Sequence, residues 1–141
     1  MKILVSACLL GENCKYNGGN NYSQAVAAFT EGHEVIAVCP EVMAGMGIPR
    51  TPIEIVSGVL TDKNGNVVDA ALRSAIEKLL EQLPLQEIDC AVLQSRSPTC
   101  GCKQVYDGSF TGKLIPGMGA FAQALQDAGC RVMDAEDIGR K

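Results

Sequence analysis

The chain has 141 residues, 47% of them apolar and 20% charged, with a formal net charge of −4 at pH 7. That length fits one domain with its own core, and the composition is that of an ordinary soluble protein. The acidic balance without any basic cluster argues against binding nucleic acid by phosphate neutralisation, and no apolar run reaches the ~18 residues that a membrane span needs. The chain enters Ile3-Leu4-Val5 directly, without a charged leader or a long apolar stretch, so a cytoplasmic location is expected.

Ile3-Leu4-Val5 reads as a short strand buried on both faces, as parallel strands are. It runs into Cys8, and a turn with Gly11 leads to a second thiol, Cys14. The loop Asn17-Gly18-Gly19-Asn20-Asn21 follows, then a helix expected over 22–30 with Tyr22, Val26 and Phe29 on one face. Gly32 suits the left-handed position after its end. Residues 35–38 form the second strand pattern and run into Cys39-Pro40-Glu41. Residues 40–52 read as irregular, because Gly45, Gly47, Pro49 and Pro52 oppose a stable helix. Residues 53–56 and 59–61 pattern as a small hairpin around Ser57-Gly58, and Asn64-Gly65 marks another turn. Asp69 reads as the N-cap of a helix reaching Leu83 and stopped by Pro84, with Leu72, Ile76, Leu79, Leu80 and Leu83 in one stripe. Residues 88–93 are the third buried strand, continuing through Gln94-Ser95-Arg96 into Ser97-Pro98-Thr99-Cys100-Gly101-Cys102. Residues 104–110 read as a hairpin with an Asp107-Gly108 turn. A third helix is expected over 116–128, burying Met118, Phe121 and Leu125, with a final strand over 131–133.

Strands alternating with helices predict an α/β fold: a single Rossmann-like domain, 1–141, in three layers with a mostly parallel sheet. In such sheets ligands sit beyond the carboxyl ends of strands. Cys8, Cys39 and the turn over 97–102 each follow such an end, so parallel strands would bring them to one edge. The cysteines number seven (Cys8, Cys14, Cys39, Cys90, Cys100, Cys102 and Cys130). An odd count in a reducing compartment argues against a disulfide framework. Three converging thiolates are soft ligands suited to zinc, copper(I) or an iron–sulfur cluster. A closed zinc site would want four ligands with local Cys-x-x-Cys pairs, and none is present. An open cluster site held by three cysteines fits better. The competing reading is that strand-end cysteines are small core residues. Spacing alone leaves both open.

Several segments together carry a family resemblance. They are residues 6–11, Cys14-Lys15-Tyr16-Asn17-Gly18, Cys39-Pro40-Glu41, Pro49-Arg50, Arg96-Ser97-Pro98-Thr99-Cys100-Gly101 and Tyr106-Asp107-Gly108-Ser109-Phe110. In this order they resemble a bacterial family, long a domain of unknown function, whose characterised members are thiouracil desulfidases. The resemblance implies a [4Fe-4S] cluster held by Cys8, Cys39 and Cys100, with one iron free to take the sulfur of a thiolated pyrimidine. It implies Glu41 and Ser97 as the catalytic pair, and the reaction of 2-thiouracil and water to uracil and hydrosulfide. Thr99 stands where the family more often has serine, Met46-Gly47-Ile48 replaces a more usual segment, and Cys102 is an extra thiol. The alternative from another class is a cysteine-rich metal- or sulfide-binding redox module that needs neither Glu41 nor Ser97.

Among the other residues, Cys14 and Arg50 are candidates for the substrate pocket, and Arg50 or Arg96 could offset an anionic cluster. Cys90 and Cys130 read as core, and His33 as a solvated loop residue. Gly117-Met118-Gly119 lacks the strand and third glycine of a dinucleotide fingerprint. Asp62, Asp69 and residues 134–137 read as solvent-facing caps and tail. The leucine stripe is core or dimer surface, and the oligomeric state stays open.

Overall fold

In this computed structural model, residues 1–138 are described; the last three residues of the expected domain lie outside them. The strands are β1 (Lys2–Ser6), β2 (Glu34–Val38), β3 (Ile53–Val56), β4 (Val59–Asp62), β5 (Cys90–Leu93), β6 (Gln104–Tyr106), β7 (Leu114–Pro116) and β8 (Val132–Asp134). The helices are α1 (Gln24–Thr30), α2 (Pro40–Met43), α3 (Asp69–Gln82) and α4 (Ala120–Asp127). No helix among the described residues is long and apolar enough to cross a membrane.

The apolar runs pair as one parallel sheet in the order β2-β1-β5-β8. Successive side chains along a strand face opposite sides. Ile3, Val5, Cys90 and Val92 therefore pack with Leu9, Val26 of α1 and Ile138. Leu4, Ala91 and Leu93 face the other way, against Leu72, Ile76 and Leu79 of α3 and Phe121 and Leu125 of α4. This is the expected three-layer arrangement. Leu4, Leu72, Phe121 and Leu125 are wholly buried, and each contributes roughly 1.5–3 kcal/mol by leaving water. The chain leaves β1 through α1 on one face to reach β2, then returns through α3 on the other face to β5. The connections thus diverge between β1 and β5, where the topology predicts a binding crevice.

The two hairpins flank this sheet. β3 and β4 pair antiparallel across Ser57-Gly58, both with positive φ, as a twisted two-residue hairpin turn requires. The second hairpin differs from expectation. β6 pairs with β7, so residues 107–113 form a longer loop and Asp107-Gly108 is not the hairpin turn. The expected start of the third helix at Pro116 is displaced for the same reason, since Pro116 pairs with Gln104 in the hairpin.

Tertiary contacts also move other element ends. α1 starts after Ser23, whose hydroxyl accepts the Val26 N–H at 3.2 Å. Tyr22 therefore lies outside the helix and is exposed, not packed on its inner face. Asp69 is not the N-cap of α3; that position is Val68. Its carboxylate instead accepts the Leu60 N–H at 2.9 Å and pairs with Arg73. Residues 40–52 are mostly irregular but begin with the single helical turn α2, with Pro40 in its first turn, where proline's fixed φ is favourable. Asp134 is buried, not solvent-facing; it accepts hydrogen bonds from the Ser95 hydroxyl and the Glu136 N–H.

The start of α4 is set by the turn that carries Cys100. The Ala120 N–H donates to the Pro98 carbonyl at 2.9 Å, and the Phe121 and Ala122 N–H groups donate to that of Thr99 at 2.8 and 3.0 Å. These are donors that a helix start leaves without partners. Such an approach excludes a side chain at Gly119, where a Cβ would lie 2.4 Å from the Thr99 carbonyl carbon and 2.8 Å from the Cys100 nitrogen. Gly119→Ala is expected to lower unfolding free energy by roughly 1–3 kcal/mol through overpacking, read as a shifted denaturant midpoint, with Cys100 becoming more accessible to thiol reagents.

Candidate functional site

Parallel pairing aligns the carboxyl ends of β2, β1 and β5. Ser6 is in register with Val38, and Val5 with Val92. The next residues on each strand are a 3-10 turn holding Cys8, the Cys39-Pro40 turn, and the loop from Gln94 to Cys100. The Ser6 hydroxyl accepts the Gln94 N–H at 3.0 Å and ties two of these ends together. Cys8, Cys14, Cys39, Glu41, Arg50, Ser97, Thr99 and Cys100 all line one cavity of about 450 Å³. Every residue expected at the site is therefore at this edge.

Cys14 and Cys100 are buried, while Cys8 and Cys39 are partly exposed. Burial pushes the Cys100 thiol up to about 12, partly opposed by hydrogen bonding to Ser6 and Thr99. Cys14 is also pushed up to about 12, by burial first and then by the neighbouring Cys39 and Cys8. Cys8 is raised by burial, while the Asn21 amide, donating to its sulfur at 3.5 Å, works the other way. The Cys39 thiol donates to the Cys14 carbonyl at 3.9 Å. Among the described residues no three His, Cys, Asp or Glu side chains are grouped to hold a single metal ion. A cubane cluster asks for something different, since its three cysteines bind three separate irons and stand further apart. Three thiols from three strand ends on one cavity fit that donor set.

Beside the thiols is a polar network. Arg50, with a side chain only 6% exposed, donates to Glu41 Oε1 at 3.2 Å, to the Cys14 carbonyl at 2.8 Å and to the Gly47 carbonyl at 3.1 Å. It thereby fastens the Cys14 loop to the segment after α2. Ser97 Oγ accepts the N–H groups of Thr99 and Cys100, each at 3.1 Å, and so folds the turn that presents Cys100. Its hydroxyl lies 2.9 Å from that of Thr99, which is 3.3 Å from Glu41 Oε2. Thr99 has one hydrogen to give. Two acceptors stand within its reach, Glu41 Oε2 and, at 3.7 Å, Cys100 Sγ. When Ser97 donates to Thr99 and that hydrogen goes to the nearer Glu41, a directed chain Ser97–Thr99–Glu41 forms.

Thr99 and Asn21 are site residues that sequence reasoning did not assign. The signal for Thr99 was its place between Ser97 and Cys100; Asn21 had none beyond a glycine-rich loop. Glu54 and Phe110 also line the cavity. A lone acid between Ile53 and Ile55 was the available sign for Glu54. The other residues weighed divide between the cavity and the rest of the fold. Arg96 lines the cavity but pairs with Glu136. Cys102 and residues 46–48 do not line it. Cys102 is instead pushed up to about 12 by burial and by Asp134 and Asp137. His33 is exposed, with Nδ1 at 2.9 Å from the N-terminal amine, at the amino end of the sheet. Cys90 and Cys130 are buried in the core, as expected.

The sequence model of the 2-thiouracil desulfurase family matches residues 3–137. The chain is 34% identical over 146 aligned positions to the uncharacterized protein YbbK of Bacillus subtilis (strain 168), an alignment covering 96% of this chain and 97% of that protein. Its fold matches a solved structure titled [4Fe-4S]-dependent thiouracil desulfidase TudS (DUF523Vcz), with a TM-score of 0.88, 32% identity, and coverage of 97% of this chain and 92% of that one.

The raised thiols give the metal-free protein a signed pH dependence. Folded Cys14, Cys100 and Cys102 hold their protons up to about 12, against an ordinary value of 9.0. Unfolded thiols ionise first, so their contribution to stability is complete below about pH 9 and is lost as pH rises toward 12. Denaturant midpoints are expected to fall between about pH 8 and pH 10, and Cys100→Ala should flatten that slope.

Proposed function

Because this chain belongs to the 2-thiouracil desulfurase family, we propose that it removes sulfur from a thiolated pyrimidine, converting 2-thiouracil and water to uracil and hydrosulfide without net redox change. The observation that carries this reading is the meeting of Cys8, Cys39 and Cys100 at one cavity, from the ends of three adjacent parallel strands. These three residues would hold a [4Fe-4S] cluster, as the dependence named for TudS supports. When bound, such a cluster supplies a Lewis-acidic iron with affinity for sulfur.

The chain's own residues do the rest. The cavity admits a small planar heterocycle. Glu41, fixed through Oε1 by Arg50 and through Oε2 by Thr99, takes a proton from the water that adds to the sulfur-bearing carbon. It returns that proton to the departing sulfur as the carbon–sulfur bond breaks. The second proton of the water is released as the carbonyl forms, so uracil leaves with hydrosulfide and one proton. Ser97 keeps its oxygen on two backbone N–H groups, so only its hydroxyl hydrogen is free to turn from Thr99 toward the substrate. Arg50 keeps Glu41 in place and is a positioning residue.

Anaerobic reconstitution tests this reading. Wild type should take up about four irons and four sulfides per chain, and Cys39→Ala should lose them. Glu41→Gln should keep the iron and lose about 10²- to 10⁴-fold in kcat/KM for 2-thiouracil. No iron uptake by wild type sinks the reading. Full activity in Glu41→Gln removes Glu41 from the mechanism, and iron without any desulfidation favours a sulfide- or metal-binding module.

A further inference from the structure

The steps above make no use of the cavity wall formed by Glu54, Tyr106, Phe110 and Gly112. Glu54 is 8% exposed and belongs to β3, yet its Oε1 is turned to the loop over 107–113. It accepts the Gly108 N–H at 2.9 Å and the Phe110 N–H at 3.2 Å. The loop is pressed onto β3 at Gly108, where φ is +93° and a Cβ would lie 2.6 Å from the Ile55 carbonyl oxygen. Only glycine meets both demands.

Phe110 has φ +58°. A bulky side chain rarely adopts that conformation, and it persists only where its surroundings over-determine it. Here the surroundings are two charge-assisted hydrogen bonds from one buried carboxylate. The strain holds an aromatic residue at the wall of the cavity that also contains the thiols.

We propose that Phe110 is a specificity-determining residue whose ring stacks on the planar heteroaromatic ring of the substrate, and that Glu54 is its positioning residue. The inference rests on the functional reading above and names the feature of the substrate that this wall reads. A small pyrimidine has few polar groups, and its π-face is its largest recognisable surface. Stacking on an aromatic side chain is strong and tolerant of ring substituents.

Holoenzyme kinetics with 2-thiouracil and with thioacetamide, a thioamide that has no ring, provide the test, together with calorimetric titration of uracil. Phe110→Leu should raise KM for 2-thiouracil and Kd for uracil by about tenfold or more, within the roughly 5- to 150-fold that one stacked base supplies. It should narrow the preference over thioacetamide by a similar factor, and Phe110→Tyr should restore all three. Glu54→Gln, which keeps one acceptor but loses the charge, should shift KM in the same direction by less, with little change in kcat. Unchanged KM and Kd in Phe110→Leu overturn the stacking role. An equal loss on thioacetamide and 2-thiouracil also overturns it, since it would mark a general disturbance of the cavity. Wild type that binds uracil, with Phe110→Leu weakened, but removes no sulfur overturns only the functional reading. Wild type that does neither overturns both.

Discussion

The site depends on one constraint, the parallel register of β2, β1 and β5. Parallel strands point their carboxyl ends the same way, and in-register pairing makes those ends level. With Ser6 opposite Val38 and Val5 opposite Val92, the first thiols beyond each strand have no choice but to share an edge. A shift of one residue in β1 would also exchange its two faces. Leu4 would trade places with Ile3 and Val5, burying the wrong side chains against α1 and α3. The packing that fixes the core therefore also brings the strand ends that precede the thiols to one edge.

Register alone does not aim the side chains; the loops beyond it do. The Cys100 turn is held on one side by Ser97 Oγ and on the other by the first donors of α4. The Cys14 loop and the segment after α2 are held by a single guanidinium. A buried pair such as Arg50–Glu41 adds little net stability over an apolar replacement, yet losing one partner is costly. Its value here is directional. Arg50 and Thr99 take one carboxylate oxygen each and leave Glu41 a narrow set of orientations, as the proposed proton-transfer role would require.

The strands and the thiols at their ends were legible because parallel strands buried on both faces read as unbroken apolar runs. Ile3-Leu4-Val5 and Ala91-Val92-Leu93 stand out in a linear reading, and their cysteines follow within a few residues. Element ends were not legible wherever a distant group sets them. Gly119 starts α4 because the Thr99 backbone lies against it, and Asp69 accepts the Leu60 N–H of β4 instead of capping the start of its own helix. Asp134 looked like part of an acidic tail because its partner, Ser95, is 39 residues away. The Thr99–Glu41 link spans 58 residues, and Glu54 meets Phe110 across 56. Such contacts follow from rotamers and docking, on which local periodicity is silent.

The raised thiols bear on how the proposed cluster would be taken up. Burial favours the neutral form of Cys8, Cys14 and Cys100, so these thiols add no negative charge beside Glu41 while they keep their protons. Metal ligation needs thiolates, which the same burial disfavours, so loading must release protons and supply enough binding energy to offset their loss. The coupling has two consequences for this architecture. Affinity for a thiophilic group held by these cysteines would rise with pH, while a hard cation would gain less from the same thiolates. Desolvation would thus do part of the selecting at the proposed site: it keeps the buried thiols protonated and favours soft groups that bind thiolates strongly enough to displace those protons.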